Sequence, residues 1–185
     1  MASRQDFGRP QEACGVVGIF GENRNANVAS LCYLGLYALQ HRGQESAGMV
    51  TSDGEKLWLD KGPGLVPDVF DQEHIDGLPG FAAIGHVRLA TDRDRHVVNT
   101  QPLMVRSTFG SVAIAQNGSL VNGGELKKGL LDAGAVLQTD TDSEIILNLI
   151  AQSKQKDLPG AVAETLKLLR GAYALVILAE GMLLA

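Results

Sequence analysis

Cysteine is scarce in this 185-residue sequence, which contains only Cys14 and Cys32. Two cysteines are too few for a disulfide framework, and their spacing offers no zinc site. The sequence therefore predicts no metal centre within its own residues. It also favours a reducing compartment, which we take to be the cytoplasm.

Long apolar runs are also missing, since none approaches the roughly 18 residues that a membrane-spanning helix needs. The first 13 residues include Arg4, Asp6, Arg9 and Glu12, so they lack the apolar core of a secretion signal. These two absences argue against a membrane partner.

The sequence also lacks an excess of positive charge. The chain has 16 Lys and Arg residues against 21 Asp and Glu residues, which gives a formal net charge of -5. A nucleic-acid surface would require a basic patch, so we expect no nucleic-acid partner. The content of 45% hydrophobic and 20% charged residues is typical of a folded globular domain.

Hydrophobic periodicity divides the chain into a strand-rich first half and a helix-rich second half. Strands are predicted at 15–20, 46–51, 55–61, 81–87 and 110–116, and helices at 28–40, 125–133, 141–152 and 158–169. Residues 65–80 are predicted to be mainly loop. Asn27 is predicted to cap the first helix and Gly43 to end it, while Thr141 and Glu144 should form a capping box. This order indicates an α+β layered domain rather than a doubly wound sheet.

The last residues have the pattern of a hairpin. A strand at 173–179 and a two-residue turn are followed by the beginning of another strand. Because a domain rarely stops inside a hairpin, we expect the C-terminal part of the domain to be missing from this sequence.

Cys14 stands where a short polar leader meets an apolar strand. A cysteine in such a place is most often a small buried hydrophobe. The alternative is a nucleophile that becomes the first residue when the leader is removed. A thiol that attacks an amide needs a base to deprotonate it and donors to stabilise the oxyanion.

Candidate partners for such a nucleophile occur near predicted strand ends and turns. The guanidinium fork of an arginine matches a substrate carboxylate, and an aspartate matches a substrate ammonium. The candidates are Arg42, Arg88, Asn117–Gly118 and Asp142. Each also has an ordinary explanation as a surface charge, a plain turn or a favourable charge at a helix N-terminus.

Five stretches, taken together and in order, resemble the N-terminal class II glutaminase domain of the amidophosphoribosyltransferases (glutamine phosphoribosylpyrophosphate amidotransferases). They lie at 14–19 (CGVVGI), 39–48 (LQHRGQESAG), 84–88 (IGHVR), 117–122 (NGSLVN) and 142–144 (DSE). The resemblance extends from Glu12 to the end of the chain. Residues 40–66 distinguish this family from other class II glutamine amidotransferases.

The resemblance implies an N-terminal-nucleophile (Ntn) hydrolase fold, a four-layer α/β/β/α sandwich with its C-terminal part missing. It also divides the chain into a leader, or propeptide, at 1–13 and a glutamine amidotransferase type 2 domain at 14–185 that is incomplete at its C-terminus.

The resemblance further implies a role for each candidate residue. Cys14 would be the nucleophile, exposed by cleavage after Ala13, and its own α-amine would be the base. An α-amine titrates near ~7.7–8.0, which is close to neutrality. The remaining implied roles are Asn117 and Gly118 at the oxyanion, Arg88 at the α-carboxylate of glutamine, Asp142 at the α-ammonium, Arg42 beside the nucleophile and Thr91 in a closing loop.

The implied function is hydrolysis of glutamine to supply ammonia. A second domain would use this ammonia to convert phosphoribosyl pyrophosphate to 5-phosphoribosylamine, the first step of de novo purine (IMP) biosynthesis. Glutamine and phosphoribosyl pyrophosphate are the implied substrates, and the full-length protein is expected to be a homo-oligomer. Magnesium, and the iron–sulfur cluster of some relatives, would belong to the missing C-terminal part, so no cofactor is expected in this segment.

Two other interpretations stay open. The family usually has a tyrosine and a glycine-bearing loop after the position of Arg88, whereas this chain has Leu89 and four charged residues at 92–95. That loop and the missing strands favour a non-catalytic module of the same ancestry. The other alternative is the glutaminase part of a different class II amidotransferase.

Overall fold

A computed structural model describes residues 14–24, 26–89 and 97–185. Within them the chain forms two antiparallel four-stranded sheets. Helices pack against the outer face of each sheet. No helix in the described part of the chain is long and apolar enough to cross a membrane.

The first sheet contains the strands from the N-terminal half, in the order β1-β4-β2-β3. Their bounds are β1 Gly15–Phe20, β2 Ser46–Ser52, β3 Leu57–Pro63 and β4 Ala82–Arg88. The two central strands, β2 and β4, are buried along their whole length because both of their faces are covered. On the outer face lie α1 (Val28–Ala38), α2 (Val66–Val69) and α3 (Gln72–Asp76).

The second sheet has the order β5-β6-β7-β8. Its strands are β5 Leu103–Ser107, β6 Gly110–Leu120, β7 Gly171–Ala179 and β8 Met182–Leu184, and its helices are α4 Gly123–Asp132, α5 Asp142–Gln152 and α6 Leu158–Leu166. Apolar side chains of α5 and α6, including Ile146 and Ala161, pack on the outer face of this sheet.

The two sheets pack face to face through small and medium apolar side chains. Ala82 and Ile84 from β4 meet Ala113 and Ala115 from β6, and Leu178 joins the same cluster. The small alanines allow the sheets to approach closely, in keeping with the tight packing of protein interiors. The structure therefore has the four layers expected from the sequence, with helices, sheet, sheet and helices in turn.

Strand β6 is longer than predicted, and this changes the setting of Asn117 and Gly118. The prediction ended the strand at residue 116, but its pairing with β7 continues through Asn117↔Ala174 and Gly118↔Tyr173 to Leu120↔Gly171. Gly118 keeps its place in the ladder with φ of 98°, a backbone conformation that glycine tolerates. The Asn-Gly pair is therefore part of a distorted strand and not a turn after one.

The predicted end of the first helix is wrong. Helix α1 stops at Ala38, and Gln40–Arg42 form a separate 3-10 turn. Gly43 has φ of -155°, which is extended, so it is not a left-handed cap. A Cβ at Gly43 would come within 2.7 Å of the backbone of Val87 and Arg88, so the close approach to β4 explains the glycine.

The two predicted N-terminal caps have different outcomes. The Asn27 side chain accepts a hydrogen bond from the Ser30 amide, as predicted. Thr141 occupies the cap position of α5, but its side chain makes no capping bond. The Glu144 carboxylate instead accepts from the amides of Gln138 and Thr139, because the preceding loop folds back over the helix start. The predicted capping box is therefore wrong.

Four short elements were not assigned from the sequence. Two short helices, α2 and α3, occupy the region predicted as loop, and the edge strand β5 pairs with β6. A short 3-10 turn at Val97–Asn99 precedes β5. Short elements give weak periodicity, because one or two turns show too few apolar repeats.

Candidate active site

A cavity of about 240 Å³ opens where the C-terminal end of β4 meets β6 and the first turn of α5. Four residues selected from the sequence lie in its walls: Cys14, Arg88, Gly118 and Asp142. The polar side of the cavity also includes Asn99, Gln101, Gln116, Ser119, Asp140 and Ser143. The fold thus brings together residues that are far apart in sequence.

Cys14 lies directly before β1 and has φ of 65°. In the described part of the chain it is the only residue other than glycine with positive φ, so its backbone is strained. Its half-buried thiol donates to the carbonyl oxygen of Leu89 over 4.0 Å. Burial raises the pKa of this thiol, and the Leu89 contact and the charges of Arg88 and Arg42 oppose that rise. A base is therefore needed to form the thiolate near neutral pH.

Arg42 contacts the backbone of Cys14 and does not line the cavity. Its Nε donates to the Cys14 carbonyl oxygen at 2.9 Å. The turn that carries Arg42 is braced by Gln40, whose Nε2 donates to the Gly43 carbonyl and whose Oε1 accepts from the Val66 amide. This arrangement holds the backbone of Cys14 in place.

Arg88 is the last residue of β4 and is 9% exposed. The register places it opposite Ser46 of β2. The guanidinium is thus held at the cavity wall by a central strand, where its charge is only weakly screened by solvent. An anion in the cavity would meet a fixed positive charge.

Gly118 lines the cavity, whereas Asn117 is not among its described lining residues. A Cβ at Gly118 would overlap the carbonyl oxygen of Ala172 on β7, so only glycine fits there. Asn117 is half-buried one position earlier. Strand alternation puts it on the face of β6 that carries Ala113 and Ala115 toward the first sheet.

Asp142 lies in the first turn of α5, as predicted, and its carboxylate connects two elements. Oδ2 accepts a hydrogen bond from the Leu120 amide at 2.7 Å, so the end of β6 is tied to the start of the helix. Oδ1 lies where a Cβ on Gly123 would approach within 2.6 Å. The carboxylate is therefore fixed at the cavity wall.

A buried polar group at and behind the cavity wall was not assigned to the site from the sequence. It contains Gln101, Gln116 and Ser143, together with His86 of β4. The ring Nε2 of His86 donates to the Gln116 carbonyl at 3.1 Å, and burial lowers the pKa of this histidine to about 4. Strand β5 was the signal that could have revealed this group. If it had been predicted to pair with β6, Gln101, which lies two residues before its start, would have been placed beside β6.

Two further expectations concern Thr91 and metal ions. Thr91 lies outside the described residues. Across residues 14–24, 26–89 and 97–185, no group of three or more His, Cys, Asp or Glu side chains is arranged to hold a metal ion.

A family model for the glutamine amidotransferase domain matches residues 86–183, just over half of the chain. The chain belongs to this glutamine amidotransferase family. The matched segment of the amidotransferase domain includes Arg88, Gly118 and Asp142.

The amidotransferase domain is also similar to longer proteins. It is 45% identical over 184 residues to the chloroplastic amidophosphoribosyltransferase of Vigna aconitifolia, a match that covers 100% of this chain and 37% of that relative. The chain therefore spans little more than a third of this relative's length.

Two solved structures share the architecture, each at 44% identity over 89% of this chain and 35% of the other chain. One is an allosteric regulatory enzyme of purine biosynthesis, with a TM-score of 0.83. The other is the glutamine phosphoribosylpyrophosphate amidotransferase from Bacillus subtilis in complex with ADP and GMP, with a TM-score of 0.81. The predicted α+β Ntn hydrolase sandwich is confirmed.

Proposed function

We propose that this chain is the glutaminase part of an amidophosphoribosyltransferase, and that it hydrolyses the side-chain amide of glutamine with Cys14 as nucleophile. The observation that carries this proposal is the meeting of Cys14, Arg88, Gly118 and Asp142 in one small cavity. A thiol, a cation, a backbone amide and a carboxylate are the groups that thiol attack on a free amino-acid amide requires.

Glutamine binding comes first. Arg88 pairs with the α-carboxylate and Asp142 with the α-ammonium, and both charges are held by regular elements. The side-chain amide then extends toward Cys14. Such fixed clamps convert attack on the amide into an effectively unimolecular step.

Thiol activation needs a base, because burial raises the pKa of Cys14. We propose that removal of residues 1–13 frees the α-amine of Cys14 to act as that base. Arg42 holds the Cys14 carbonyl, which keeps the amine beside its own thiol. Cleavage at this position would divide the chain into the proposed leader at 1–13 and the proposed glutaminase domain at 14–185.

In the attack, the Cys14 sulfur bonds to the amide carbon, and the carbonyl oxygen becomes an oxyanion. The Gly118 N–H and the Asn117 side chain stabilise that oxyanion. The C–N bond then breaks, and the nitrogen leaves as ammonia with the proton taken from the thiol. Water cleaves the thioester to release glutamate and restore Cys14. Thr91 is proposed to belong to the loop that closes over glutamine during these steps.

The fate of the ammonia is proposed from the names of the relatives. An amidophosphoribosyltransferase would use it to displace pyrophosphate from phosphoribosyl pyrophosphate and give 5-phosphoribosylamine, in purine biosynthesis. Magnesium, and the iron–sulfur cluster of some such enzymes, would belong to a part of the protein outside this segment. Homo-oligomeric assembly and a cytoplasmic location belong to the same proposal. The 45% identity with a named amidophosphoribosyltransferase favours this enzyme over other class II amidotransferases.

The direct test is release of ammonia and glutamate from glutamine by the purified protein. We expect both products in equal amounts, and we expect Cys14→Ser to abolish them. Cys32→Ser is the matched control, because that thiol is buried in α1 away from the cavity. Equal ammonia release by the wild type and Cys14→Ser would refute the proposal. The proposed use of the ammonia needs a second test. The transferase portion of a relative is added, and release of pyrophosphate from phosphoribosyl pyrophosphate is measured.

A further inference from the structure

Residues 97–102, which we call the strap, contribute Asn99 and Gln101 to the cavity wall and are tied to the loop before α5 and to β3. Asn99 Oδ1 accepts from the Asp140 amide at 3.1 Å, next to the start of α5. Lys61 Nζ of β3 donates to the carbonyl oxygens of Thr100 at 2.5 Å and Pro102 at 3.2 Å. The two lysine bonds hold the backbone on both sides of Gln101, which is 8% exposed.

The strap rests on one row of residues across the first sheet. Lys61, Gly48 and His86 lie opposite one another in neighbouring strands. A Cβ at Gly48 would overlap the carbonyl oxygen of Gln101, so the glycine allows the strap to pack directly on the sheet. The position of Gln101 is therefore set by this row.

The side chain of Gln101 completes the ladder of β6. Strands β5 and β6 pair from Leu103↔Ile114 onward, and the same register would place residue 101 opposite residue 116. At that position the side-chain carboxamide of Gln101 makes the hydrogen bonds to β6 that the backbone of a paired strand would make. Its Oε1 accepts from the Gln116 amide at 2.8 Å, and its Nε2 donates to the Gln116 carbonyl at 3.5 Å.

The same carboxamide oxygen also reaches α5. Ser143 Oγ donates to Gln101 Oε1 at 2.8 Å, and Ser143 directly follows Asp142 in the first turn. One buried oxygen thus joins the strand that carries Gly118 to the helical turn that carries Asp142. Buried polar groups that lose such partners are costly.

From these contacts we infer that Gln101 is a positioning residue, which sets the distance between the oxyanion site at Gly118 and the ammonium site at Asp142. The inference rests on the proposed glutaminase function and extends it to a residue of the cavity wall that has no role in the reaction steps proposed above. Lys61 and Gly48 support Gln101 from the first sheet.

The test compares three variants in the purified protein. Gln101→Met keeps the length of the side chain but loses all three hydrogen bonds, and Gln101→Glu keeps the acceptor oxygen that Gln116 and Ser143 donate to but loses the Nε2 donor. The control is Gln72→Met on α3, where the glutamine is exposed and bonds to Asp76. We expect Gln101→Met to lower kcat/KM for glutamine by about 10- to 100-fold, through both a higher KM and a lower kcat. Gln101→Glu should recover part of that loss, and Gln72→Met should match the wild type.

Two measurements separate positioning from general loss of structure. Alkylation of Cys14 by iodoacetamide needs neither Gly118 nor Asp142, so its rate should be unchanged in Gln101→Met. Hydrogen exchange should quicken at the amides of Gln116 and Leu120, which bond to Gln101 and Asp142, and stay unchanged elsewhere. The inference would be overturned if Gln101→Met kept the wild-type kcat/KM, or if hydrogen exchange at these two amides were unchanged. It would also be overturned if hydrogen exchange became faster throughout the chain, since that would indicate general loss of structure.

The outcomes also distinguish this inference from the proposed function. A wild-type protein that hydrolyses no glutamine would contradict the proposed function. In that case faster exchange confined to Gln116 and Leu120 in Gln101→Met would still support the positioning role, and unchanged exchange would refute it.

Discussion

Cys14 and Cys32 occupy opposite environments. Cys32 is fully buried on the inner face of α1, where loss of solvation raises the pKa of its thiol to about 12. Cys14 is partly exposed at the cavity, where burial also raises the pKa of its thiol but the charges of Arg88 and Arg42 oppose that rise. Only one of the two thiols is therefore placed for chemistry.

A thiol-specific disulfide reagent should detect this difference. In the native protein at neutral pH we expect one thiol to react, and Cys14→Ser should remove that reaction. The second thiol should react only when urea unfolds the domain, because Cys32 has no access to solvent in the folded state. Rapid native reaction at Cys32 would show that α1 is not packed as described.

Asp142 is expected to act through its charge. Asp142→Asn keeps a side-chain oxygen to accept from Leu120 but removes the negative charge. We expect the KM for glutamine to rise about 10- to 100-fold with a smaller change in kcat, since a charge-assisted hydrogen bond is worth roughly 1.5–3 kcal/mol.

The neighbouring carboxylate Asp140 is the control, because it also lines the cavity but is paired with Lys127. Asp140→Asn should raise the KM much less. Equal effects of the two substitutions would contradict the assignment of the ammonium site to Asp142.

At the scale of elements, β6 joins the sheet to the site through an unusual backbone at Gly118. Gly118→Ala places a Cβ against the Ala172 carbonyl at positive φ. We expect a loss of about 2 kcal/mol or more in the free energy of unfolding, measured by urea denaturation.

Gly129 in α4 is the matched glycine, because a Cβ there would meet nothing within 4 Å. Gly129→Ala should raise the free energy of unfolding by about 0.5–1 kcal/mol, since alanine favours helix. If Gly118→Ala were as stable as the wild type, the fold would not require the positive φ at Gly118.

The long elements were predictable from the sequence because their periodicity extends over many residues. Helix α5 and the strands β2 and β4 were found within a residue or two. The continuation of β6 past residue 116 was not, because Asn-Gly usually marks a turn and only the partner β7 keeps it in the ladder. Gly43 was misassigned for the same reason, since its role depends on packing against β4.

The site was predictable in part. Cys14, Arg88, Gly118 and Asp142 meet in the cavity, and the order of the motifs indicated this. The roles of Gln101 and Ser143 could not be predicted, because they depend on how the strap crosses from one sheet to the other. Such contacts between distant segments leave no local pattern in the sequence.

At the scale of the whole molecule, His86 connects the two sheets, because it projects from β4 and donates to the Gln116 carbonyl of β6. Its folded pKa of about 4 lies below the ordinary value of 6.5. The unfolded chain therefore takes up a proton first as the pH falls, and stability is lost between about pH 6.5 and pH 4.

We expect the free energy of unfolding to fall by about 2 kcal/mol between pH 7 and pH 5 because of this residue, as measured by urea titration. His86→Gln should remove that fall, since its amide keeps a donor for Gln116. His74→Gln is the control, because Asp71 raises the pKa of His74 and its contribution has the opposite sign. If the free energy of unfolding of His86→Gln fell with pH as in the wild type, the claim that His86 is buried in its neutral form would be contradicted.

The central claim is that Cys14 attacks glutamine. Its most direct test is rapid acid quenching of the protein during turnover with glutamine, followed by peptide mass spectrometry. We predict a peptide that begins at Cys14 and carries one γ-glutamyl group as a thioester, and no such group in Cys14→Ser. Ammonia release without any γ-glutamyl group on Cys14, or with equal rates in Cys14→Ser, would contradict the account.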